Sequence, residues 1–414
     1  MVICCKKPSP VPVVEGMIST PLPASSRLNL VDALRGFALL AIVVLHNLEH
    51  YNLYFIPENM PSWLNSLDGG VWDTLFFLMA GKAYATFSLL FGVSFFIQFR
   101  NERGRGGDFR ARFAWRMFLL FLFSQFHSLF YNGDILLLYA VVGLALIPVC
   151  QLRDRTVFLI ALACLLQPFE WGRVVCSLLN PDYIPLSNGY LEYKALAYPV
   201  MKEGNFMELL ASNIWDGQLY SNFWQVEHGR LFQTAGLFMF GMLLGRREFF
   251  VRSALSTARW QRVLLICAIS FLPFYLLKSN MEGLLESLDL ARLSVPLETI
   301  LLAWSNIAFM GVLVSLFSLV WFRTDGLGIQ RFIIPFGRMS LTNYITQSII
   351  GVFIYYGYGL CLYKTTGATA TFLIGLGIVA VQLLWSRWWL ARHRQGPFEM
   401  LWRKGTWMFG KKSS

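Results

Sequence analysis

The chain has 414 residues, of which 56% are hydrophobic, 16% aromatic and only 14% charged, and its formal net charge is +11. Because soluble globular domains carry roughly 25% charged residues, this composition excludes a soluble protein and indicates an integral membrane protein. The excess of Lys and Arg is typical of the cytoplasmic loops of such proteins, so it does not indicate a nucleic-acid partner.

The apolar runs decide the secondary structure. They are continuous rather than alternating, which predicts helices, since only helices and closed barrels satisfy the backbone polar groups within a bilayer. We therefore predict an all-α, polytopic membrane protein. The seven cysteines show neither the paired spacing of a disulfide framework nor that of a zinc site, so no metal is predicted.

The chain divides into an arm, a transmembrane domain and a tail. Residues 1–26 contain five prolines and no helical period, which predicts a disordered cytoplasmic arm. Residues 27–386 are predicted to form a ten-helix transmembrane domain with a long external loop at 180–228. Residues 387–414 mix Trp, Phe and Leu with basic residues, which indicates an amphipathic cytoplasmic tail on the membrane surface.

Ten apolar segments are predicted to cross the bilayer. They lie near residues 31–50, 71–99, 113–131, 135–152, 156–179, 230–245, 263–278, 298–321, 336–358 and 369–386. The connections between them alternate between clusters of Lys and Arg and stretches with few of these residues. By the positive-inside bias, both termini are predicted to be cytoplasmic.

Two of the predicted helices present an Arg and a His at the same spacing. Arg35 and His46 are eleven residues apart in the first helix, and Arg116 and His127 are eleven apart in the third. Eleven steps of about 100° bring both side chains of a pair onto one stripe, separated by roughly 16 Å along the axis. A cation near one interface with an imidazole in line beyond it indicates a path through the membrane.

Four stretches of the chain, and its ending, form motifs. The stretches are residues 32–36 (DALRG), 81–92 (GKAYATFSLLFG), 127–136 (HSLFYNGDIL) and 337–348 (GRMSLTNYITQS), and the ending is residues 396–402 (GPFEMLW). Together they resemble the YeiB-like bacterial membrane proteins, within the wider transmembrane acyltransferase grouping. The type 3 acyltransferases of that grouping carry an Arg, ten residues and then a His in their first span, which is the spacing of Arg35 and His46.

This resemblance implies transfer of an acyl group, acetyl above all, from cytoplasmic acyl-CoA to a glycan or amine outside the bacterial inner membrane. His46 or His127 would then act as a general base or a transient acyl carrier. Asp134 would accept a hydrogen bond from His127 and orient it. The remaining implied role, holding the negative charge of acyl-CoA, falls to Arg35, Lys82 and Arg116.

Each of these residues also has a purely structural interpretation. His46 is then an interface residue satisfied by water, and Arg35 is an anchor paired with Asp32. Lys82 is then one half of a buried ion pair, because an unpaired charge at that depth of a span is costly. The sequence does not separate the two interpretations.

Three further polar residues are candidates for contact with the acceptor: Glu49, Asn343 and Gln347. Glu49 follows His46 at i+3, where it either orients an imidazole or serves as an external carboxylate. Asn343 and Gln347 stand at i and i+4, where they either line a cavity or hold neighbouring helices together.

The predicted partners are the lipid bilayer and a small-molecule or glycan acceptor, with a homodimer left open. The competing hypothesis is a small-molecule transporter or channel, in which the same buried charges line a permeation path without covalent chemistry.

Overall fold

The computed structural model describes residues 28–57, 60–104, 106–180, 183, 189–326 and 328–408. These residues form α-helices with short 3-10 and π-helical turns and no strand, so the prediction of an all-α fold is confirmed. The predicted N-terminal arm, residues 1–26, lies outside the described residues.

The α-helices of the described ranges follow one another along the chain. They are α1 (Asn29–Leu45), α2 (Ser62–Met79), α3 (Lys82–Arg103), α4 (Phe109–Phe130), α5 (Leu136–Gly143), α6 (Leu146–Val149), α7 (Asp154–Leu165), α8 (Pro168–Leu179), α9 (Gly189–Glu203), α10 (Phe206–Ile214), α11 (Asp216–Glu227), α12 (Arg230–Arg246), α13 (Ala254–Ser287), α14 (Ser294–Thr324), α15 (Ile329–Phe332), α16 (Ile334–Arg338), α17 (Ser340–Tyr355), α18 (Ala368–Leu390) and α19 (Pro397–Thr406). α1 continues directly into a π-helical turn, His46–Tyr51. Two 3-10 turns, Ala291–Leu293 and Leu362–Lys364, precede α14 and α18.

Within the described residues, six helical stretches are long and apolar enough to cross a bilayer: Asn29–Tyr51, Ser62–Arg103, Phe109–Phe130, Ala254–Ser287, Ala291–Thr324 and Ala368–Leu390. α7 and α8 form a seventh candidate, bent by 47° at their junction. The protein is therefore a helical membrane protein. The other predicted spans, 135–152, 230–245 and 336–358, fall on the shorter helices α5, α12 and α17, so the count of ten and the cytoplasmic termini stay predictions.

Glycines allow two pairs of helices to cross closely. α1 crosses α16 at Gly36 and Gly337, where a Cβ atom on either residue would overlap backbone atoms of the opposite segment. α3 crosses α12 in the same way at Gly92 and Gly241. Small residues at such contacts let membrane helices pack backbone to backbone. Because Gly36, Gly92 and Gly337 lie in the motifs described above, part of those motifs serves packing.

Most of the segment predicted as an external loop is helical. Within residues 180–228 the chain forms α9, α10 and α11, and α11 packs against α9 and α12. The position of this segment outside the membrane stays a prediction. The polar composition of this segment hid the helices, although the capping box of Asn205 and Glu208 at the start of α10 is readable in the sequence.

Candidate functional site

A cavity of about 2600 Å³ runs alongside α1. Its wall includes Leu28 and Arg35 near the start of that helix and His46 and His50 in the π-helical turn at its end. Since an α-helix rises about 1.5 Å per residue, the eighteen steps from Leu28 to His46 extend the cavity roughly 27 Å along the bundle. Such a length is a large part of a bilayer's hydrocarbon thickness, which is about 30 Å.

One end of the cavity is strongly basic. Among the described residues, the wall of the whole cavity holds thirteen arginines against seven carboxylates. Most of these arginines lie in the α3–α4, α6–α7 and α12–α13 connections or near the helix ends beside them, and we call this end the basic mouth. Its arginines are Arg100, Arg103, Arg110, Arg112, Arg153, Arg246, Arg247, Arg259, Arg338 and Arg403. A low-dielectric cleft lined by one sign of charge concentrates ligands of the opposite sign.

At the opposite end, His46 faces the cavity from the first position of the π-helical turn. π-Helical turns are rare and often occur at functional sites, because they change the direction of the side chains that follow. Here the wider turn brings Tyr51 back beneath His46, and the His46 Nδ1 atom lies 3.3 Å from the Tyr51 hydroxyl oxygen.

A relay of hydrogen bonds fixes the tautomer of His46. The Ser348 hydroxyl donates to the backbone carbonyl of Tyr344 at 3.2 Å, and the Tyr51 hydroxyl donates to Ser348 Oγ at 3.0 Å. The Tyr51 oxygen is therefore left as an acceptor, so His46 Nδ1 carries the proton and donates it to this oxygen. Nε2 of neutral His46 then has a free lone pair, which is the requirement for a general base.

A second imidazole lies behind the cavity wall. His127 is fully buried, and its Nδ1 atom lies 2.7 Å from Asp134 Oδ1. The other carboxylate oxygen accepts hydrogen bonds from Ser124 and from the backbone N–H of Leu137. Among the described residues His127 Nε2 has no hydrogen-bond partner. The structure thus brings His127 and Asp134 together as predicted, in a geometry that holds the imidazole in one orientation.

Two tyrosine rings lie between the two imidazoles. The Tyr131 ring is 5.4 Å from that of His46 and 5.6 Å from that of His127. The Tyr344 ring is 6.2 Å from His46 and 5.0 Å from His127. His46 and His127 therefore belong to one cluster, but His46 is the member of the pair that lines the cavity.

Glu49 also lines this end of the cavity. Its carboxylate lies 3.1 Å from His50 Nδ1 and accepts a hydrogen bond from the Tyr54 hydroxyl at 3.3 Å. It makes no hydrogen bond to His46. The predicted orienting role for the His46 imidazole is therefore filled by Tyr51, and Glu49 stays a candidate for contact with the acceptor.

The two predicted arginines line the cavity in different environments. Arg35 is paired with Asp32 at 2.7 Å and also donates to Ser94. Arg116 forms no ion pair with a carboxylate of the described residues. Its guanidinium lies 4.3 Å from the centre of the Trp402 ring and 3.4 Å from the Thr406 hydroxyl. An arginine without a carboxylate in a largely enclosed wall favours an anionic ligand.

Lys82 does not line the cavity, and this corrects its predicted role. Gly81, at a positive φ of 74°, breaks the path from α2 to α3 and turns Lys82 away from the wall. Its ammonium lies 5.8 Å from the Phe77 ring and 5.7 Å from the Phe309 ring. Among the described residues Lys82 forms no ion pair, so the structure does not support the alternative interpretation, a buried ion pair, either.

Asn343 and Gln347 are likewise absent from the cavity wall. Asn343 donates to Ser386 Oγ at 2.9 Å and to the Phe336 carbonyl at 3.2 Å, so it joins α17 to α18 and α16. Gln347 is fully buried on the same face of α17. The interpretation as a contact that holds helices together therefore fits Asn343. Both amide atoms of Gln347 are buried without a hydrogen-bond partner among the described residues.

The residues that orient His46 carry no predicted role. Tyr344 and Ser348 lie in the motif at 337–348, and Tyr51 lies outside the motifs. The signal was present in α17, where Tyr344 and Ser348 stand at i and i+4 and so share one face. The contact of Ser348 with Tyr51 joins positions 297 residues apart, and no local pattern indicates it.

The tail helix α19 completes the wall of the basic mouth. Trp402 Nε1 donates to the Arg116 carbonyl at 3.1 Å, and Trp115 Nε1 donates to the Gly405 carbonyl at 2.9 Å. Glu399 accepts hydrogen bonds from the backbone N–H groups of Leu341 and Thr342 at 2.8 and 3.1 Å. These contacts fix α19 against α4 and α17.

Replacing Glu399 with alanine is expected to release α19. The change removes the hydrogen bonds from Leu341 and Thr342, each worth about 0.5–1.5 kcal/mol. Trypsin should then cut after Arg403 several-fold faster, as mass spectrometry of the fragments would measure. Burial raises the pKa of this carboxyl, while the hydrogen bonds from Thr342 oppose the shift. Because burial favours the neutral form, Glu399→Gln should keep the wild-type rate, and equal cleavage of the alanine variant would contradict the prediction.

No metal-binding group of three His, Cys, Asp or Glu side chains is present within the part of the chain that the structure describes.

Comparison with known proteins yields relatives of similar length. Residues 244–409 match a family described as "Protein of unknown function (DUF418)". The chain is 26% identical to the uncharacterized protein YxaH of Bacillus subtilis, over 94% of this chain and 96% of that protein. It is 27% identical to the uncharacterized protein YeiB of Escherichia coli, over 91% of this chain and 95% of that protein. No solved structure gives a significant match.

Proposed function

Because this chain is a YeiB-like membrane protein with an imidazole at the end of a basic cavity, we propose that it is a transmembrane acyltransferase. It moves an acyl group, in our proposal acetyl, from cytoplasmic acyl-CoA to an external glycan or amine. One observation carries this proposal. A single cavity joins the basic mouth to His46, and the relay through Tyr51 leaves His46 Nε2 unprotonated.

The donor end of the cavity is the basic mouth. The phosphates of acyl-CoA carry several negative charges, and guanidinium groups bind phosphate through paired, charge-assisted hydrogen bonds. Arg116 stands between the mouth and His46 on the stripe that it shares with His127. If the phosphates of an extended acyl-CoA molecule bind at the basic mouth, its thioester points along α1 toward His46.

The transfer step requires one base. His46 Nε2 takes the proton of the acceptor hydroxyl or amine while the acceptor oxygen or nitrogen attacks the thioester carbonyl. The carbon–sulfur bond then breaks, and the same proton passes to the departing sulfur. His46 returns to its neutral form, and the products are the acylated acceptor and free CoA.

This function also sets the arrangement in the membrane. We propose that α12, α17 and the segment formed by α5 and α6 cross the bilayer together with the seven longer candidates, which gives ten spans with both termini in the cytoplasm of a bacterial inner membrane. The basic mouth then faces the cytoplasm, where acyl-CoA is made, in agreement with the positive-inside bias.

A transfer assay tests the proposal. Inner-membrane vesicles that contain the wild-type protein are mixed with acetyl-CoA labelled in the acetyl group. We expect a labelled product other than acetyl-CoA, with release of one CoA thiol for each label transferred. Vesicles with the His46→Ala variant are the control and should form no such product. Equal labelling in both preparations would reject His46 as the base.

Replacing Arg116 with glutamine is expected to weaken acetyl-CoA binding about tenfold to a hundredfold, since a charge-assisted hydrogen bond to phosphate is worth about 1.5–3 kcal/mol. Binding is measured by calorimetry on purified protein. Arg331 is the control, because it lies outside the wall of this cavity and is paired with Asp325 at 3.0 Å. Arg331→Gln should leave the affinity nearly unchanged, and equal losses in the two variants would remove the special role of Arg116.

A transporter is the second candidate, and one observation favours it. Broken helices with buried charges are typical of transporter binding sites. The junction of α7 and α8 is such a break, with Gln167 at a positive φ of 59° and a buried Glu170–Arg173 ion pair at 3.0 Å beyond it. Uptake of a labelled hexosamine into proteoliposomes that lack acyl-CoA would favour this candidate.

A further inference from the structure

The end of the cavity away from the basic mouth carries one further arginine, Arg230. This residue begins α12, directly after α11, and it lines the cavity together with Tyr84, Trp224 and Gln225. Gln225 donates to the backbone carbonyl of Asp134 at 3.0 Å, which ties α11 to the His127–Asp134 pair. Arg230 therefore lies at the end of the cavity that holds His46 and not at the basic mouth. We call this end the chamber around His46.

Aromatic rings hold the Arg230 side chain in place. Its guanidinium lies 4.4 Å from the centre of the Tyr84 ring and 5.5 Å from that of Trp224. The Arg230 Nη1 atom donates a hydrogen bond to Gln233 Oε1 at 3.3 Å. These contacts orient the planar group, and they leave its charge uncompensated because rings and amides carry no net charge.

Among the described residues no carboxylate forms an ion pair with Arg230. Glu49 is the carboxylate that lines this end of the cavity, and it is engaged by His50 and Tyr54. Glu227 and Glu298 interact with His228, but neither forms an ion pair with Arg230. Lys82 is near enough to interact with Arg230 electrostatically and adds charge of the same sign. A partly buried cation in such surroundings favours an anionic ligand.

We propose that Arg230 binds an anionic group of the acceptor, so the acceptor is a saccharide or amine that carries a carboxylate or a phosphate. This inference rests on the proposed acyl transfer, because that function assigns the donor to the mouth and leaves the chamber around His46 to the acceptor. Arg230 then holds the acceptor's charged group while a neighbouring hydroxyl or amine faces His46. Its role is to select and position the acceptor.

Binding of paired probes tests this assignment without acyl-CoA. Glucosamine 6-phosphate is compared with glucosamine, and glucuronic acid with glucose, by thermal unfolding of the detergent-purified full chain. We expect at least one charged probe to raise the unfolding temperature more than its uncharged partner, and the two pairs distinguish phosphate from carboxylate. If neither charged probe exceeds its partner, the proposal is overturned.

Variants of Arg230 test whether this residue binds the charged probe. Arg230→Gln should weaken binding of the preferred charged probe by about tenfold or more, the usual loss for one charge-assisted contact. Arg230→Lys keeps the charge and should restore part of the affinity. Such a recovery would show that the glutamine variant loses affinity through the missing charge and not through misfolding. Arg292→Gln is the control, because Arg292 donates to the Ser177 carbonyl and lies outside the cavity wall. Unchanged affinity in Arg230→Gln would overturn the proposal.

The two proposals fail separately. If the membranes form no acetylated product but Arg230-dependent probe binding is present, the acyl transfer is rejected and the anion site stands. If transfer from acetyl-CoA occurs at equal rates to charged and uncharged probes, and Arg230→Gln leaves both rates unchanged, acyl transfer stands and the anionic acceptor is rejected.

Discussion

Replacing His46 with alanine is expected to lower the rate of acyl transfer by about a hundredfold to ten-thousandfold, the usual contribution of a positioned general base. The loss follows from the free lone pair on Nε2, which the contact of Nδ1 with the Tyr51 hydroxyl secures. His46 is only partly buried, so the variant should keep its expression and its thermal unfolding temperature. The measurement is labelled transfer by membrane vesicles at equal protein content.

Two further variants make this prediction specific. Tyr51→Phe removes the acceptor for the Nδ1 proton but keeps the ring, so it should cause a smaller loss of rate than His46→Ala. His127→Ala should also lose transfer, because it removes the imidazole beside Asp134. Full activity in both histidine variants would exclude an imidazole base.

Replacing Asp134 with asparagine is expected to destabilise the protein by about 1–3 kcal/mol, the usual cost of leaving a buried hydrogen-bonding group without its partner. His127 and Asp134 are both nearly inaccessible, with exposed fractions of 0% and 4%. An amide nitrogen in place of Oδ2 would confront two hydrogen-bond donors, the Ser124 hydroxyl and the Leu137 N–H. Thermal unfolding in detergent measures the loss.

Asp325→Asn provides the matched control for this stability change. Asp325 is 69% exposed and pairs with Arg331, which is 58% exposed, at 3.0 Å. Exposed ion pairs contribute little to stability, so the same chemical change should leave the unfolding temperature almost unaltered. Equal shifts in the two variants would mean that the His127–Asp134 contact adds no special stability.

The long helices were predictable because their signal is local and strong. The predicted spans 31–50 and 113–131 agree with Asn29–Tyr51 and Phe109–Phe130 to within a few residues. Continuous apolar runs of this length have few alternatives in a bilayer. The helices within 180–228 could not be found in the same way, since they are short and mix apolar with polar residues.

The site was predictable in part for the same reason. His127 and Asp134 are seven residues apart, and the short connection between α4 and α5 brings them together. The eleven-residue spacing placed Arg35 and His46 on one side of α1, where both line the cavity. Lys82 was misplaced, because the direction of its side chain depends on the positive φ of Gly81, which spacing does not reveal.

The position of α19 bears on how the protein matures. Trp402, Arg403, Thr406 and Trp407 form part of the cavity wall, yet the ribosome makes them after every one of α1 to α18. During synthesis the nascent chain therefore inserts into the bilayer with the mouth lacking one side. Competence to hold a ligand arises only after α19 has emerged and docked, so a truncation before residue 397 would yield an inserted but inactive polypeptide.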